Sequence, residues 1–374
     1  MKFSKAFDSI LAQRHMSLAE LSERADVLQD DLKRASSKSF DLNDEQVRRI
    51  ADELAVPVRA LYTKQEIVLS QLPDFRRKSP TSTLLDRGVI HAIGYVEKVS
   101  LSLADLDIDL GTSQDVDKYT GPLTKSAAKI LAEKWRKKWG ITNEDQLEWG
   151  NASKLYYSLR SYIENLGIFV MHYQFGTDDV AGLYAKVDGG PHTILINTRA
   201  SGKARKLFTL AHEFCHVLLR EDGVSNPSIV RNKIEVFCNH FAACLLAPEK
   251  LIRLAITRYN YKMSLAGDSI KLLSEKLGIS QQASVLRLVD IGVFEQENYG
   301  HWISRFSDGI PTDDKKDPIR RAKENDPIKG KVTQYGRSFL KKLSFAKKEG
   351  LLDALEIYKL YGIKPVYQNR LLGG

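Results

Sequence analysis

The run Leu207-Phe-Thr-Leu-Ala-His-Glu-Phe-Cys-His-Val-Leu-Leu219 sets two histidines and a glutamate inside an otherwise apolar stretch. Leu210, Ala211, Phe214, Val217 and Leu218 recur at helical spacing, which predicts a buried α-helix. On that helix His212 and His216 lie four residues apart and share a face, so both imidazoles can bind one zinc ion. Glu213 stands beside them, where it can take a proton from a water activated by the metal.

A second stretch supplies what the first lacks. Glu235-Val-Phe-Cys-Asn-His-Phe-Ala-Ala-Cys-Leu-Leu-Ala-Pro248 reads as a strongly apolar helix ended by proline. Glu235 and Asn239 lie one turn apart on it. A tetrahedral zinc site with an open position needs a third protein ligand, and Glu235 offers a carboxylate. Asn239 can then accept from the second ring nitrogen of a zinc histidine and fix its tautomer. The alternative is a helix on which Glu235 and Asn239 simply face solvent.

The rest of the composition is that of an ordinary globular protein. At 374 residues and 43% hydrophobic, the chain is long enough for two or three domains and is neither collagen-like nor wholly disordered. It has no run of about 18 apolar residues, so no transmembrane helix is expected. Met1 to Ile10 is amphipathic, without the apolar core of a secretory signal. Cys215, Cys238 and Cys244 are too few for a disulfide framework. Together these features predict a soluble cytoplasmic protein. The three cysteines flank the zinc-type helices; they read as small buried hydrophobes, with a redox switch or thiolate ligand as the alternative.

The first 66 residues carry short helical patterns at Phe3–Leu11, at Leu18–Ala25, from near Leu28, at Asp44–Leu54 and from Pro57. Ser17-Leu-Ala-Glu20 has the form of a capping box. Five helices in this order resemble the helix-turn-helix domain of the XRE (Cro/C1-type) repressors, most closely at Ser17–Ala25 and in Val47–Tyr62, "VRRIADELAVPVRALY". Asp26 stands where that family usually has a turn glycine. The resemblance implies DNA contacts from the third helix, with Lys33, Arg34 and Lys38 as candidates for phosphate. Against this, the third helix opens with Asp30 and Asp31, and residues 1–66 carry 11 basic against 12 acidic side chains. A protein-docking role is the alternative.

Residues 67–123 form a connector, with the proline-bracketed Pro73–Pro80 and a helical pattern from Thr83 to about Leu103. Helices follow at Lys125–Trp139 and Ser153–Leu166, then β-prone runs at Ile168–Phe175, Val180–Val187 and Thr193–Asn197. The last two are joined through Asp188-Gly189-Gly190, a hairpin turn, so a small antiparallel sheet is expected. Residues 301–374 hold 16 basic against 9 acidic side chains in a chain of net charge +9. That tail has helical patterns at about 336–350 and 351–360; it is either a solvated face packed on the core or a surface for nucleic acid or another acidic ligand.

The runs "FTLAHEFCHVLL" and "ExxCNxFAAxLLAPxxL", with "LGIFV" and "HTILINT" upstream, resemble the ImmA/IrrE-type metallo-endopeptidases, zinc enzymes of the gluzincin kind. "IKLLSEKLGISQQASVLRLVDI", Ile270–Ile291, resembles the helix-turn-helix-like module that follows their zinc helices. Cys215 and Cys238 replace residues that are commonly glycine and alanine there. The resemblance implies His212, His216 and Glu235 as zinc ligands and Glu213 as the base. It also implies an α+β, mostly helical chain: an XRE-like domain (1–66), the connector (67–123), a zincin-like metallopeptidase domain (124–296) and a basic helical C-terminal region (297–374). Members of the family cut a partner, commonly an XRE-type repressor, to switch on stress-response or mobile-element genes. The competing reading is a DNA- or protein-binding regulator in which zinc is structural or vestigial.

Overall fold

The computed structural model describes residues 3, 5–14, 16–37, 42–62, 87–104, 106, 116–176, 180–187, 190–199, 202–220, 223–225, 233–265, 268–305 and 326–373. The connector Pro73–Pro80, the hairpin residues 188–189, the polar loop 311–316 and Lys38 lie outside them.

Helices α1 (Lys5–Gln13), α2 (Leu18–Ala25), α3 (Gln29–Ser37) and α4 (Asp44–Glu53) enclose one apolar core with a 3-10 turn at Val58–Leu61. Among the described residues, the expected fifth helix from Pro57 is this turn. Its bonds span three residues, from Ala60 N–H to Pro57 O and from Tyr62 N–H to Arg59 O, because Ala60 and Leu61 turn at once into the core. Ser17 accepts from the Glu20 N–H at 3.2 Å, but Glu20 pairs with Arg24 at 3.0 Å rather than reaching back. Asp26 adopts the left-handed conformation with φ 51°, unusual without glycine. Arg49 holds it there, with Nη1 on the carboxylate at 3.1 Å and Nη2 on the carbonyl at 3.2 Å.

Helix α5 (Arg87–Ala104) joins this unit to the rest. Its Ile90 enters the N-terminal core, while Val89, Ala92, Ile93, Val96 and Val99 enter a second core on the sheet. Gly94 lets Ala55 approach: a Cβ there would stand 2.7 Å from both the Ala55 Cβ and its carbonyl. Beside this crossing, buried Arg14 donates through Nη1 and Nη2 to both oxygens of buried Glu97, at 3.1 and 2.6 Å, and through Nε to Leu54 O at 3.0 Å.

The remaining elements are α6 (Lys125–Lys138), α7 (Asn143–Trp149), α8 (Ala152–Asn165), β1 (Phe169–Tyr173), β2 (Gly182–Lys186), β3 (His192–Asn197), α9 (Lys203–Leu219), β4 (Gly223–Ser225), α10 (Lys233–Leu246), α11 (Glu249–Arg258), α12 (Ser269–Leu277), α13 (Gln281–Asp290), α14 (Gln296–Ile303), α15 (Pro327–Tyr335), α16 (Arg337–Lys348), α17 (Ala354–Tyr361) and α18 (Pro365–Leu372). Among the described residues after 305, α15 and α18 are helices that the pattern does not predict, each opened by a proline in its first turn. Among the described residues no helix is long and apolar enough to cross a membrane.

The chain is α+β and mostly helical, but the sheet is mixed, not antiparallel as expected. Its order is β1-β3-β2-β4, with β3 parallel to β1 and antiparallel to β2. The β2–β3 pair is the expected antiparallel one; β3, however, inserts between β1 and β2 and runs parallel to β1. Alternation along each strand sends its side chains to two buried faces. Val170, Tyr184, Ile194 and Ile196 meet α6, α8, α9 and α10 on one face. Phe169, Met171, Leu183, Ala185 and Leu195 meet α5 and the C-terminal helices on the other.

His192 opens β3 in a buried site between Tyr184 and Arg220. Its Nδ1 lies 2.6 Å from the Tyr184 hydroxyl, and Arg220 donates to its Nε2. Arg220 is only a donor, so Nε2 must accept and the ring is neutral. Burial, then the Arg220 charge, lowers the His192 pKa to about 3. Burial likewise pushes buried His172, whose Nε2 lies 2.6 Å from the Tyr156 hydroxyl, well below its ordinary value.

Two outcomes are expected. Arg14→Ala strands Glu97 without its partner and should destabilise the N-terminal unit by about 3–5 kcal/mol, while Arg14→Met with Glu97→Leu should recover most of the loss. Hydrogen exchange of α1–α4 reads both. For the histidines the unfolded chain takes protons near pH 6.5 while the folded chain does not, so stability is full above that pH and falls as the pH drops toward 3. Each contributes a slope of up to about 1.4 kcal/mol per pH unit. Thermal melts between pH 6.5 and 4.5 should show a shallower decline in His192→Asn than in wild type.

Candidate metal centre

Helix α9 is almost wholly enclosed. From Leu207 to Leu219 every residue but Phe208 is buried, and Arg220 ends the helix in the left-handed conformation with φ 59°. The sheet lies on one side, α8 and α10 on others. Gly182 at the head of β2 permits this approach. A Cβ there would stand 2.6 Å from Thr209 Cγ2, 2.9 Å from Leu195 O and 3.4 Å from Glu213 Cγ. A lone glycine within a β-prone run is the signal that marks such a close approach; the sequence reading passed over it.

Helix α10 is held by its far end. The last carbonyls of a helix lack intrahelical donors, and a buried end needs others. Leu245 O accepts from Arg136 Nη1 at 2.8 Å, Leu246 O from Gln146 Nε2 at 2.7 Å, and Ala247 O from Arg287 Nε at 3.0 Å. Arg136 is itself buried against Gln146, 2.7 Å away, and burial lowers its pKa to about 10. These anchors come from α6, α7 and α13, and no local pattern in the sequence announces them.

With both helices so placed, His212 Nε2 and His216 Nε2 lie 3.1 Å apart. Glu235 Oε2 lies 3.3 Å from the first and Oε1 3.2 Å from the second. Donors bound at about 2.0–2.1 Å around a tetrahedral ion stand about 3.3 Å apart, so this triangle suits zinc. Among the described residues it is the one group of three or more metal-type donors that converge within 4.8 Å. Glu213 is fully buried on the same helix.

The electrostatics agree with a cation-binding set. Burial opposes the charged form of Glu235, but hydrogen bonds from both histidines outweigh it and hold the carboxyl at about 2. Burial lowers the pKa of His212, with Glu235 and Asn239 acting against it through side-chain hydrogen bonds. Burial also works to lower His216, but Cys238, Glu235 and Glu213 together raise it well above its ordinary value. Asn239 thus lies close enough to His212 to act on its titration. The three cysteines are free and buried, and burial pushes the Cys238 and Cys244 thiols up, away from thiolate chemistry.

Among other imidazole and phenol groups in the C-terminal half of the chain, His240 sits 3.9 Å from Asp290, Tyr259 and Tyr261 stack on one another with Lys276 over the first, and His301 is exposed on α14. One edge of β2 pairs with β3, and the other is paired with β4 across Gly182–Tyr184. The short β4, between the two metal-type helices, has no strand signature in the sequence. On α3, Lys33 and Arg34 are exposed but pair with Asp30 and Asp31 one turn back, at 3.6 and 3.8 Å.

Gly182→Ala should cost roughly 1–3 kcal/mol of stability through overpacking. Thr209→Ser, which removes the nearest obstructing methyl, should return part of it in the double variant; chemical denaturation reads both values.

No curated protein matches the chain. Residues 163–289, from the last turn of α8 through most of α13, match the model of peptidase family M78, the IrrE N-terminal-like domain, so the stretch that builds this centre is similar to a metallopeptidase family of the ImmA/IrrE kind.

Proposed function

We propose that the chain is a zinc-dependent endopeptidase of narrow specificity, gluzincin-like in its ligand set, acting on a partner protein. The carrying observation is the convergence of His212, His216 and Glu235 within 3.3 Å of one another beside a buried Glu213. His212, His216 and Glu235 would hold the ion, and Asn239 would orient His212. Zinc, when bound, supplies Lewis acidity toward a water and toward the scissile carbonyl.

This chain's own residues do the rest. Glu213, one residue along α9 from His212, takes the proton of the attacking water and returns it to the leaving amine. The apolar packing of Leu210, Ala211, Phe214 and Val217 fixes α9, so the base keeps its position through the cycle. Because β4 covers the start of β2, a peptide would add to the sheet beside β4 rather than directly along β2.

The N-terminal unit, residues 1–66, is read as an XRE-type helix-turn-helix module, supported by the order of its helices and the tight turn at Asp26 between α2 and α3. With the α3 charges paired among themselves, protein docking suits that face better than phosphate contacts through Lys33, Arg34 and Lys38. The substrate is then an XRE-type repressor, or this chain itself, cut to release stress-response or mobile-element genes in the cytoplasm.

The test is a pair of variants with metal content and cleavage read together. Wild type should carry about one zinc per chain and His216→Ala none. Glu213→Gln should keep its zinc yet lose about 10²–10⁴-fold in the rate at which co-expressed XRE-type repressors of the same genome are cut. Undiminished cleavage by zinc-loaded Glu213→Gln would exclude the mechanism.

A further inference from the structure

Away from the metal centre, a cleft of about 340 Å³ opens between α8 and the α15–α16 turn. Tyr157, Ser158, Arg160 and Ser161 come from α8, and Thr333 and Arg337 from the C-terminal helices. One wall therefore borders the segment similar to peptidases, and the other belongs to the basic tail.

The polar groups on these walls are only partly used by the fold. Arg160 is 5% exposed. Its Nε donates to Glu164 Oε1 at 2.8 Å and its Nη2 to Val170 O at 2.5 Å, which leaves Nη1 without a partner among the described residues. The other Glu164 oxygen accepts the backbone N–H of Arg337 at 3.1 Å, in the first turn of α16. The single carboxylate of the cleft is thus committed to Arg160 and to that helix start. Among the described residues the Arg337 guanidinium and the Ser158, Ser161 and Thr333 hydroxyls have no partners. Two guanidinium groups against one committed carboxylate leave the cleft positive. At its rim the Tyr157 ring is 50% exposed, and Lys203 Nζ stands 5.7 Å from its centroid.

Each feature selects for ligand chemistry. Guanidinium forks match tetrahedral oxyanions, and hydroxyls supply further donors. The volume is too large for a bare oxyanion and falls within the range of small-molecule sites. An exposed aromatic face at the rim accepts a planar ring by stacking. We infer that this cleft binds a small phosphate-bearing molecule with a planar ring, a nucleoside monophosphate in its chemistry. The phosphate lies between Arg160 and Arg337, and the base lies on Tyr157. Because the two walls belong to α8 and to the C-terminal helices, the bound molecule clamps the tail onto the core.

Calorimetric titration of the full chain with AMP, inorganic phosphate and adenosine tests this. Arg337 serves the fold through its backbone N–H, so Arg337→Gln should fold normally, which its melting midpoint verifies. Wild type should bind one AMP per chain and inorganic phosphate more weakly at the same site, with adenosine giving no heat. Arg337→Gln should raise the AMP dissociation constant roughly tenfold or more, the scale of a lost charge-assisted hydrogen bond. Silence toward both AMP and phosphate at millimolar concentrations would overturn the inference. So would an unchanged AMP affinity in folded Arg337→Gln, or phosphate binding as tightly as AMP.

Discussion

Two imidazoles and a carboxylate within 3.3 Å of one another, against an apolar core, form the arrangement around which the molecule is organised. Such a cluster is unfavourable unless opposite charge and fixed geometry compensate for lost hydration. A divalent cation would supply the charge, and rigid helices supply the geometry. Much of the surrounding structure serves the second need: Gly182 admits α9 to the sheet, and Arg136, Gln146 and Arg287 anchor the end of α10. Those anchors lie about three turns from Glu235 along α10, yet they set where its carboxylate arrives.

The donor set was legible because helical periodicity and the i, i+4 spacing are local properties. The convergence of His212, His216 and Glu235 needed only two helices and one assumption, that their polar faces meet. The left-handed turn at Asp26 was equally local, although the Arg49 contacts that hold it come from α4. What the sequence did not disclose depends on partners distant in the chain. Runs of β-prone residues marked β1, β2 and β3 as strands but could not say that β3 lies between the other two. The three residues of β4 are too short to carry a period. Arg136 stands among other cations in the last turn of α6, and only the fold brings it to a buried carbonyl.

The basic tail illustrates the same limit from another side. Its charge suggested a surface element, and its lysines are largely at the surface. Yet Phe339, Leu343, Ile357 and Tyr361 are buried with Phe169, Met171 and Leu195 of the sheet. Charge counting reports the solvent face of an amphipathic helix and is silent about the other face. A sheet with two apolar faces needs two covers, and the second comes from α5 and the final helices.

Helix α5 belongs to two cores at once, through Ile90 on one side and Val89, Ile93 and Val96 on the other. The sheet likewise belongs to two. Three apolar clusters are thereby linked in series by shared elements, so loosening of the N-terminal bundle transmits through α5 to the sheet and from there to the floor beneath α9. In the language of cooperative units, opening at either end of the chain lowers the barrier to opening in the middle. A protein bound to the first four helices would then act on α9 and α10 without touching them, by changing how often the shared beam lets go.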